Sequence, residues 1–391
     1  MTDKTCKICG CKDKNKMFEL CSNLKLMGEH FPESPSFVTE CPECGFVYVD
    51  MEASQDDFNR YYSSPNSNPF GYYEIYGEEH TNAYFNDILN KFKDKINADS
   101  VILDHAGGSG DFTKFLLAKG YKNAEQLEIS EKCAEIAKTK GVNTIIADGC
   151  KEPADELLGK YDLITMIHSL EHFTDIDKVI ENAKKMLKKD GFLYIEVPDA
   201  ERYSKTDSVP YTMYTLEHIY HFNKDTMKNL GNAFGLKTID IGQFFKAESY
   251  DVLYGLYQYD NNKTSVRYSD TLKTSVLEYR EHSANRLRPF IQEFEKTQEK
   301  LILWGIGAST ALLMNGTFDK CNVLQLIDRN KQRQGLNYKI GVKNFIVQDP
   351  DAITDKDATI VVLPYWYHDS IMKQIKGMGF SNPVKSLMGE K

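Results

Sequence analysis

The chain has 391 residues, 41% of them hydrophobic and 27% charged, which suits two or three ordinary domains and excludes a disordered or disulfide-dominated chain. Its formal net charge is -9 and it contains no basic tract. That excludes the footprint of a nucleic-acid or anionic-membrane binder and leaves a small molecule as the expected partner. MTDKTCKICG contains no apolar h-region, and no run approaches the ~20 apolar residues of a membrane span. The expected location is therefore cytoplasmic, where the nine cysteines stay reduced and serve metal binding or burial.

Residues 1–56 hold six of those cysteines and read as a small zinc-binding module. Cys6-x2-Cys9 and Cys41-x2-Cys44 are paired thiolates on tight turns, each followed by a glycine (Gly10, Gly45), and four thiolates close a tetrahedral structural Zn²⁺ site. Cys11 and Cys21 stand as alternatives for one ligand. A redox role fits less well, because neither pair sits at a strand-to-helix junction.

Residues 57–266 form the second unit. Its first part is aromatic and turn-rich (Tyr61, Tyr62, Ser63, Ser64, Pro65, then Pro69, Phe70, Tyr72, Tyr73), a candidate lid ending in a helix over Asn82–Ile96. From Val101 short apolar runs alternate with amphipathic stretches, the rhythm of βαβ units around a parallel sheet. Strands are predicted at Val101–Asp104, Glu125–Ile129, Asn143–Ala147, Leu163–Ile167 and Phe192–Val197, with helices at Ser130–Lys140 and Asp175–Leu187. A helix over Lys224–Phe234, stopped by Gly235, and two strands at Leu236–Phe245 and Tyr250–Tyr259 follow. Residues 267–391 begin with a charged helical connector, Ser269–Lys300, interrupted only by Pro289. LILWGIGAST, NVLQLID and ATIVVLP then predict a second Rossmann-like unit.

Chemistry concentrates at the predicted strand ends. VILDHAGGSGDF leaves a strand and turns through Gly107, Gly108 and Gly110, where the backbone can approach a ligand. Glu128 closes the next strand, where a carboxylate can accept from two ribose hydroxyls. Asp148 closes the third, within reach of an adenine amino group. Ile129, Gly149 and His168 are assigned to the same pocket. A Gly-rich turn alone is a weak signal, but three strand-end features in register are a strong one.

This pattern resembles class I S-adenosylmethionine methyltransferases. Asp104 matches the acid of their first motif, whereas Ala106 stands where the first of three alternating glycines is usual and adds a methyl group to the turn. A nicotinamide enzyme is the competing reading, but IADG after the third strand fits adenosine better. Two histidine clusters follow the fourth and fifth strands: IHSLEHF, with His168, Glu171 and His172, and YTLEHIYHF, with Glu217, His218, Tyr220 and His221. Both lie on the ligand side of an open α/β sheet. A carboxylate beside an imidazole fixes its tautomer and raises its basicity, which favours Glu217–His218. His168 and Glu171 also read as plain polar residues at a helix start, and Tyr220 and His221 as packing or substrate contacts.

Over nearly the whole chain the order of parts is similar to the three-domain sugar C-methyltransferases, which act on nucleotide-linked keto-deoxysugars. WGIGAST, LIDRNKQRQG and VVLPYW carry that likeness at the C-terminal end. The resemblance implies a catalytic tyrosine at Tyr61 or Tyr62, a mid-chain histidine at His172, and Glu217–His218 as the Glu-His pair. Two departures bear on substrate and carbon: Thr215-Leu216 replaces the family's Tyr-His, and AESYDVLYG replaces a His-Gly-Gly-Ser segment. The implied reaction is removal of a proton next to a ketone by His218, oriented by Glu217. His172 and a tyrosine donate to the enolate oxygen, followed by methyl transfer without a catalytic metal.

WGIGAS also outlines a dinucleotide turn, with Asp328 closing the following strand, yet Thr310 stands at the third glycine position. The expected role is holding the substrate's nucleotide, or shape alone, rather than binding a second redox cofactor. Two other functions remain open: an O- or N-methyltransferase on a glycan precursor or other metabolite, and a catalytically idle S-adenosylmethionine-binding scaffold.

Overall fold

The computed structural model describes residues 5–64, 71–205, 209–245, 251–307, 310–314, 316–365 and 367–387. Pro65, Pro69 and Phe70 of the aromatic segment, residues 247–250 of AESYDVLYG, Ala308 and Ser309 of WGIGAST, and Trp366 lie outside them.

Three strands pair antiparallel, β1 (Asn15–Cys21), β2 (Ser36–Glu40) and β3 (Val47–Asp50), the last two rich in β-branched and aromatic residues. Leu20, Val38, Phe46 and Val47 are fully buried beneath them. Helix α1 (Gln55–Tyr62) starts with a capping box. Ser54 accepts from the backbone N–H of Asp57, whose carboxylate accepts from the Ser54 N–H, an arrangement that stabilises by about 1 kcal/mol. Helix α2 (Tyr72–Phe92) begins ten residues earlier than expected and bends at Gly77 (φ 75°). Its legible half starts near Thr81, from where Tyr84, Phe85, Ile88 and Leu89 are buried at helical spacing.

The central layer runs β4 (Val101–His105), α3 (Asp111–Ala118), β5 (Asn123–Glu128), α4 (Glu131–Thr139), β6 (Thr144–Ile146), β7 (Tyr161–Ile167), α5 (Ile176–Met186) and β8 (Leu187–Pro198). After the two-residue β9 (Tyr220–His221) come α6 (Lys224–Phe234), β10 (Leu236–Phe245) and β11 (Asp251–Tyr259). The sheet order is β10-β11-β8-β7-β4-β5-β6, parallel from β8 to β6 and antiparallel where β11 meets β8 and β10. Leu103, Leu163, Ile164, Leu193 and Ile195 are 0% exposed, as near-continuous apolar runs require when both faces are covered. Strand order reverses between β4 and β7, which opens a crevice at their carboxyl ends.

β9 belongs to the other sheet. It pairs with β3, Val47 opposite His221 and Tyr48 opposite Tyr220, and the Val49 N–H donates to the Ile219 carbonyl at 2.7 Å. Lys7, inside the first cysteine turn, reaches Asp175 at 3.1 Å and Asp177 at 3.0 Å. The cysteine module is thereby fastened to the central layer at two places.

The expected connector is a packed helix, α7 (Thr271–Thr297), whose buried residues Leu272, Val276, Tyr279, Ser283, Leu287, Ile291 and Phe294 form one stripe. Pro289 does not end it. Tyr214 donates to the Val276 carbonyl, and Ser283 Oγ accepts from the Tyr211 N–H. The last region comprises β12 (Leu301–Trp304), α8 (Ala311–Met314), β13 (Val323–Ile327), β14 (Asn337–Ile340), β15 (Lys343–Gln348), β16 (Thr359–Val362), α9 (His368–Gly377) and β17 (Val384–Ser386). Its sheet, β14-β15-β13-β12-β16-β17, is parallel apart from the β14–β15 hairpin. Among the described residues no helix is long and apolar enough to cross a membrane.

Candidate active site and metal centre

Each cysteine turn is closed by backbone bonds, Gly10 N–H to Cys6 O at 2.8 Å and Gly45 N–H to Cys41 O at 2.9 Å. Both glycines adopt positive φ, and a Cβ on Gly45 would lie 1.8 Å from the Ser269 carbonyl oxygen, so no other residue fits there. The turns bring Cys6 Sγ within 3.6 Å of Cys44 Sγ and Cys9 Sγ within 3.4 Å of Cys41 Sγ. All four sulfurs lie within 4.8 Å of one another. Zn–S bonds of ~2.3 Å in a tetrahedron separate sulfurs by slightly less than 4 Å, so this donor set fits a closed zinc site. Cys11 points to the Asp13 carbonyl and Cys21 to that of Asn23, which leaves both outside the cluster.

At the end of β4 the chain turns through Ala106 (φ 57°), Gly108 (φ 54°) and Gly110 (φ 81°). Ala106 holds a left-handed conformation that costs roughly 1–2 kcal/mol in an L-residue with a Cβ. A Cβ on Gly107 would sit 2.6 Å from Gln126 Oε1, and one on Gly108 would meet nothing within 4 Å. The turn therefore packs on β5 below and is open above. Asp104 faces inward, accepting from Thr165 at 2.8 Å and Thr113 at 3.2 Å; burial raises its acid to about 7. It braces the turn instead of lining the open side.

Glu128, 7% exposed, accepts from the Gly108 N–H at 2.9 Å and the Ser130 N–H at 2.8 Å. Each oxygen keeps a lone pair for a hydroxyl, and Ile129 follows it at the rim. Asp148 accepts from the Cys150 N–H at 2.9 Å and from Asn59 Nδ2 at 2.8 Å. Gly149 packs against His105, whose Cε1 would lie 2.3 Å from an added Cβ. His105 is buried, with neither ring nitrogen hydrogen-bonded among the described residues, and burial lowers it to about 4. The turn is open on one side, and the Glu128 carboxylate is held beside it by the Gly108 N–H. Glu128→Ala is accordingly expected to weaken S-adenosylmethionine binding by about 1.5–3 kcal/mol, the worth of charge-assisted hydrogen bonds. Calorimetry checks it, and unchanged affinity would move the ribose elsewhere.

Helix α1 links this pocket to the histidines. Asn59 and Tyr62, one turn apart and hence on one face, reach Asp148 and His172, with Tyr62 Oη 3.1 Å from His172 Nδ1. Tyr61 donates to Glu217. Burial and neighbouring acids raise both phenols above their ordinary range, so they stay protonated. The His172 and His218 rings stand 5.0 Å apart at 71°. Burial, and then the neighbouring His172, lower His218 to about 3, so the ring is neutral at physiological pH.

Two placements differ from the sequence reading. Glu217, expected to orient His218, bonds Tyr61 instead; the carboxylate grouped with His218 and His172 is that of Glu171. His168, assigned to the cofactor pocket, lies between two buried acids, its Nε2 3.1 Å from Glu196 and its Nδ1 3.6 Å from Glu171. Glu196 also accepts from Tyr84 and Tyr194. Asn59 escaped the sequence analysis, since nothing local marks a contact made across the fold.

In the C-terminal region Thr310 Oγ1 accepts from the Gly307 N–H at 2.9 Å, and the Arg333 guanidinium fills the space beside Gly307. Asp328 accepts from Arg333 at 3.2 Å and from the Asn330 N–H at 2.7 Å. The space beside Gly307 is thus taken by the chain's own Arg333.

Residues 77–241 match the family model described as a methyltransferase domain. The chain thus carries a methyltransferase domain, of the S-adenosylmethionine-dependent class. Among curated proteins, the C-methyltransferase NovU of Streptomyces niveus is 25% identical over 111 residues, 28% of this chain and 26% of that protein. The chain spans about a quarter of the length of that relative. Solved structures with a similar fold include a possible histamine N-methyltransferase of Thermotoga maritima (19% identity, 46% of this chain and 91% of that one, TM-score 0.36). Another is the 1,6-didemethyltoxoflavin-N1-methyltransferase of Burkholderia thailandensis (14%, 57% and 97%, TM-score 0.39).

Proposed function

We propose that the chain methylates a carbon next to a ketone in a nucleotide-linked sugar, using S-adenosylmethionine, with Cys6, Cys9, Cys41 and Cys44 holding a structural Zn²⁺. The observation that carries this reading is helix α1, which joins the acid of the cofactor pocket to a cluster of His172, His218, Tyr61 and Tyr62. A hydroxyl acceptor needs one base; a carbon acid needs a base and also donors for the enolate oxygen, and this cluster contains both. The 25% identity to a C-methyltransferase supports the same choice.

S-adenosylmethionine supplies an electrophilic methyl group. His218, neutral at physiological pH, takes the proton from the substrate carbon, and the electron pair of the broken C–H bond becomes the enolate. Tyr62, backed by His172, is placed to donate to the enolate oxygen, and Glu217 steadies Tyr61 beside it. Bound S-adenosylmethionine would give its methyl group to that carbon and leave as S-adenosylhomocysteine, with the chain's part being to position the two. Mass spectrometry of products from a panel of keto- and hydroxy-sugar nucleotides tests the reading, with a methyl group on a carbon flanking the ketone as the expected result. A methylated hydroxyl or amine would establish the O- or N-transfer alternative, and cofactor binding without any product the idle scaffold.

A further inference from the structure

A base that works inside a buried cluster must carry a positive charge through the transition state, and that charge needs a partner. Glu217 turns to Tyr61, and the carboxylate grouped with His172 and His218 is that of Glu171. Glu171 is 1% exposed, and neither carboxylate oxygen has a hydrogen-bond partner among the described residues. Buried carboxylate oxygens that accept no hydrogen bond are rare and call for a reason; here histidine rings face the charge at slightly longer range. Its Oε1 lies 3.6 Å from His168 Nδ1 and 3.8 Å from His172 Nε2, and its carboxylate, His172 and His218 present ligand atoms within 4.8 Å of one another. The Ile219 N–H donates to the Glu171 carbonyl at 2.8 Å, which locks this acid against the loop that carries His218.

We propose that Glu171 is a positioning residue: its buried carboxylate holds the His172 and His218 rings and balances the charge His218 gains when it takes the substrate proton. This rests on the carbon-transfer reading. Burial by itself favours the neutral acid, but the neighbouring His168 first, and then His172, hold the carboxyl down at about 2, which leaves it ionised at physiological pH. The groups facing it are those three histidines, with Tyr62 of α1, Tyr72 of α2 and Tyr203 beyond β8; His218 also faces His221.

The test replaces Glu171 by Gln, which keeps the shape and removes the charge, and by Asp, which keeps the charge. Histidine ring resonances followed by NMR across pH need no substrate. In Glu171→Gln the His218 titration is expected to move to lower pH, and in Glu171→Asp to return toward wild type. Exchange of the substrate's carbon-bound proton in D₂O should fall about 10²–10³-fold in the Gln variant, the usual loss for one preorganised electrostatic partner, with S-adenosylmethionine affinity within twofold of wild type. Unmoved titrations with exchange within threefold would overturn the proposal. If the Gln variant does not fold, Glu171→Asn, shorter and likewise uncharged, carries the same test with the same expected and overturning results. Absence of exchange in the wild-type protein would instead defeat the carbon-transfer reading, and the titrations would still decide whether Glu171 sets the charge of the rings.

Discussion

Replacing Cys41 by Ser is expected to release the metal and unfold the N-terminal module. Structural zinc contributes about 10–16 kcal/mol to small units of this kind. Burial of Leu20, Val38, Phe46 and Val47 offsets only part of a loss of that size. Metal analysis of purified protein should find one zinc per chain in wild type and none in the variant, and thermal unfolding should show the module melting first. Folded, active protein without metal would refute the assignment. Cys11→Ser, whose sulfur points to the Asp13 carbonyl, should retain the zinc and serves as the control.

His218→Ala is expected to abolish deuterium exchange at the substrate carbon and methylation together, while S-adenosylmethionine binds as in wild type. Removing a general base typically costs ~10²–10⁴-fold in rate. Burial keeps the His218 ring neutral at pH 7 but lowers its proton affinity, so the neighbouring Glu171 carboxylate is needed to strengthen it as a base. Cofactor affinity should hold, because the ring is grouped with His172 and Glu171, whereas the Gly108 N–H of the turn is bonded to Glu128. Exchange may be followed with S-adenosylhomocysteine in place of the methyl donor, separating proton removal from transfer. A fall of less than threefold would remove His218 from the mechanism. Methylation of a hydroxyl without carbon exchange would establish oxygen transfer.

The parts of the site legible in the sequence are those made by short-range rules. Two Cys-x2-Cys turns place sulfurs by local backbone geometry, and the sheet's strand ends put Glu128 and Asp148 beside the glycine turn because a βαβ unit repeats one crossing. The strands of the central layer were legible for the same reason. What adjacency suggests is less dependable: Glu217 and His218 are neighbours in the chain, yet Glu217 turns to Tyr61 while His218 turns to Glu171 and His172. Consecutive side chains in an extended loop leave the backbone in different directions, so the partner of a residue is decided by what the fold brings up. Asn59 on Asp148 and the buried stripe of α7 are long-range products of that kind. The first half of α2 was missed because its residues before Thr81 bury no apolar stripe, leaving no periodicity to read.

The pairing of β3 with Tyr220–His221 has a thermodynamic consequence. The strand that follows the second cysteine turn is also the rail on which the Glu217–His218 loop is registered, so the order of the metal module and the order of the loop are not independent variables. Linkage then runs in both directions: whatever factor the metal adds to ligand affinity by ordering that loop, a ligand that orders the loop must return to metal affinity. The zinc would thus be held more tightly by a protein at work than by one at rest, and depletion of the metal would fall first on molecules with an empty cleft.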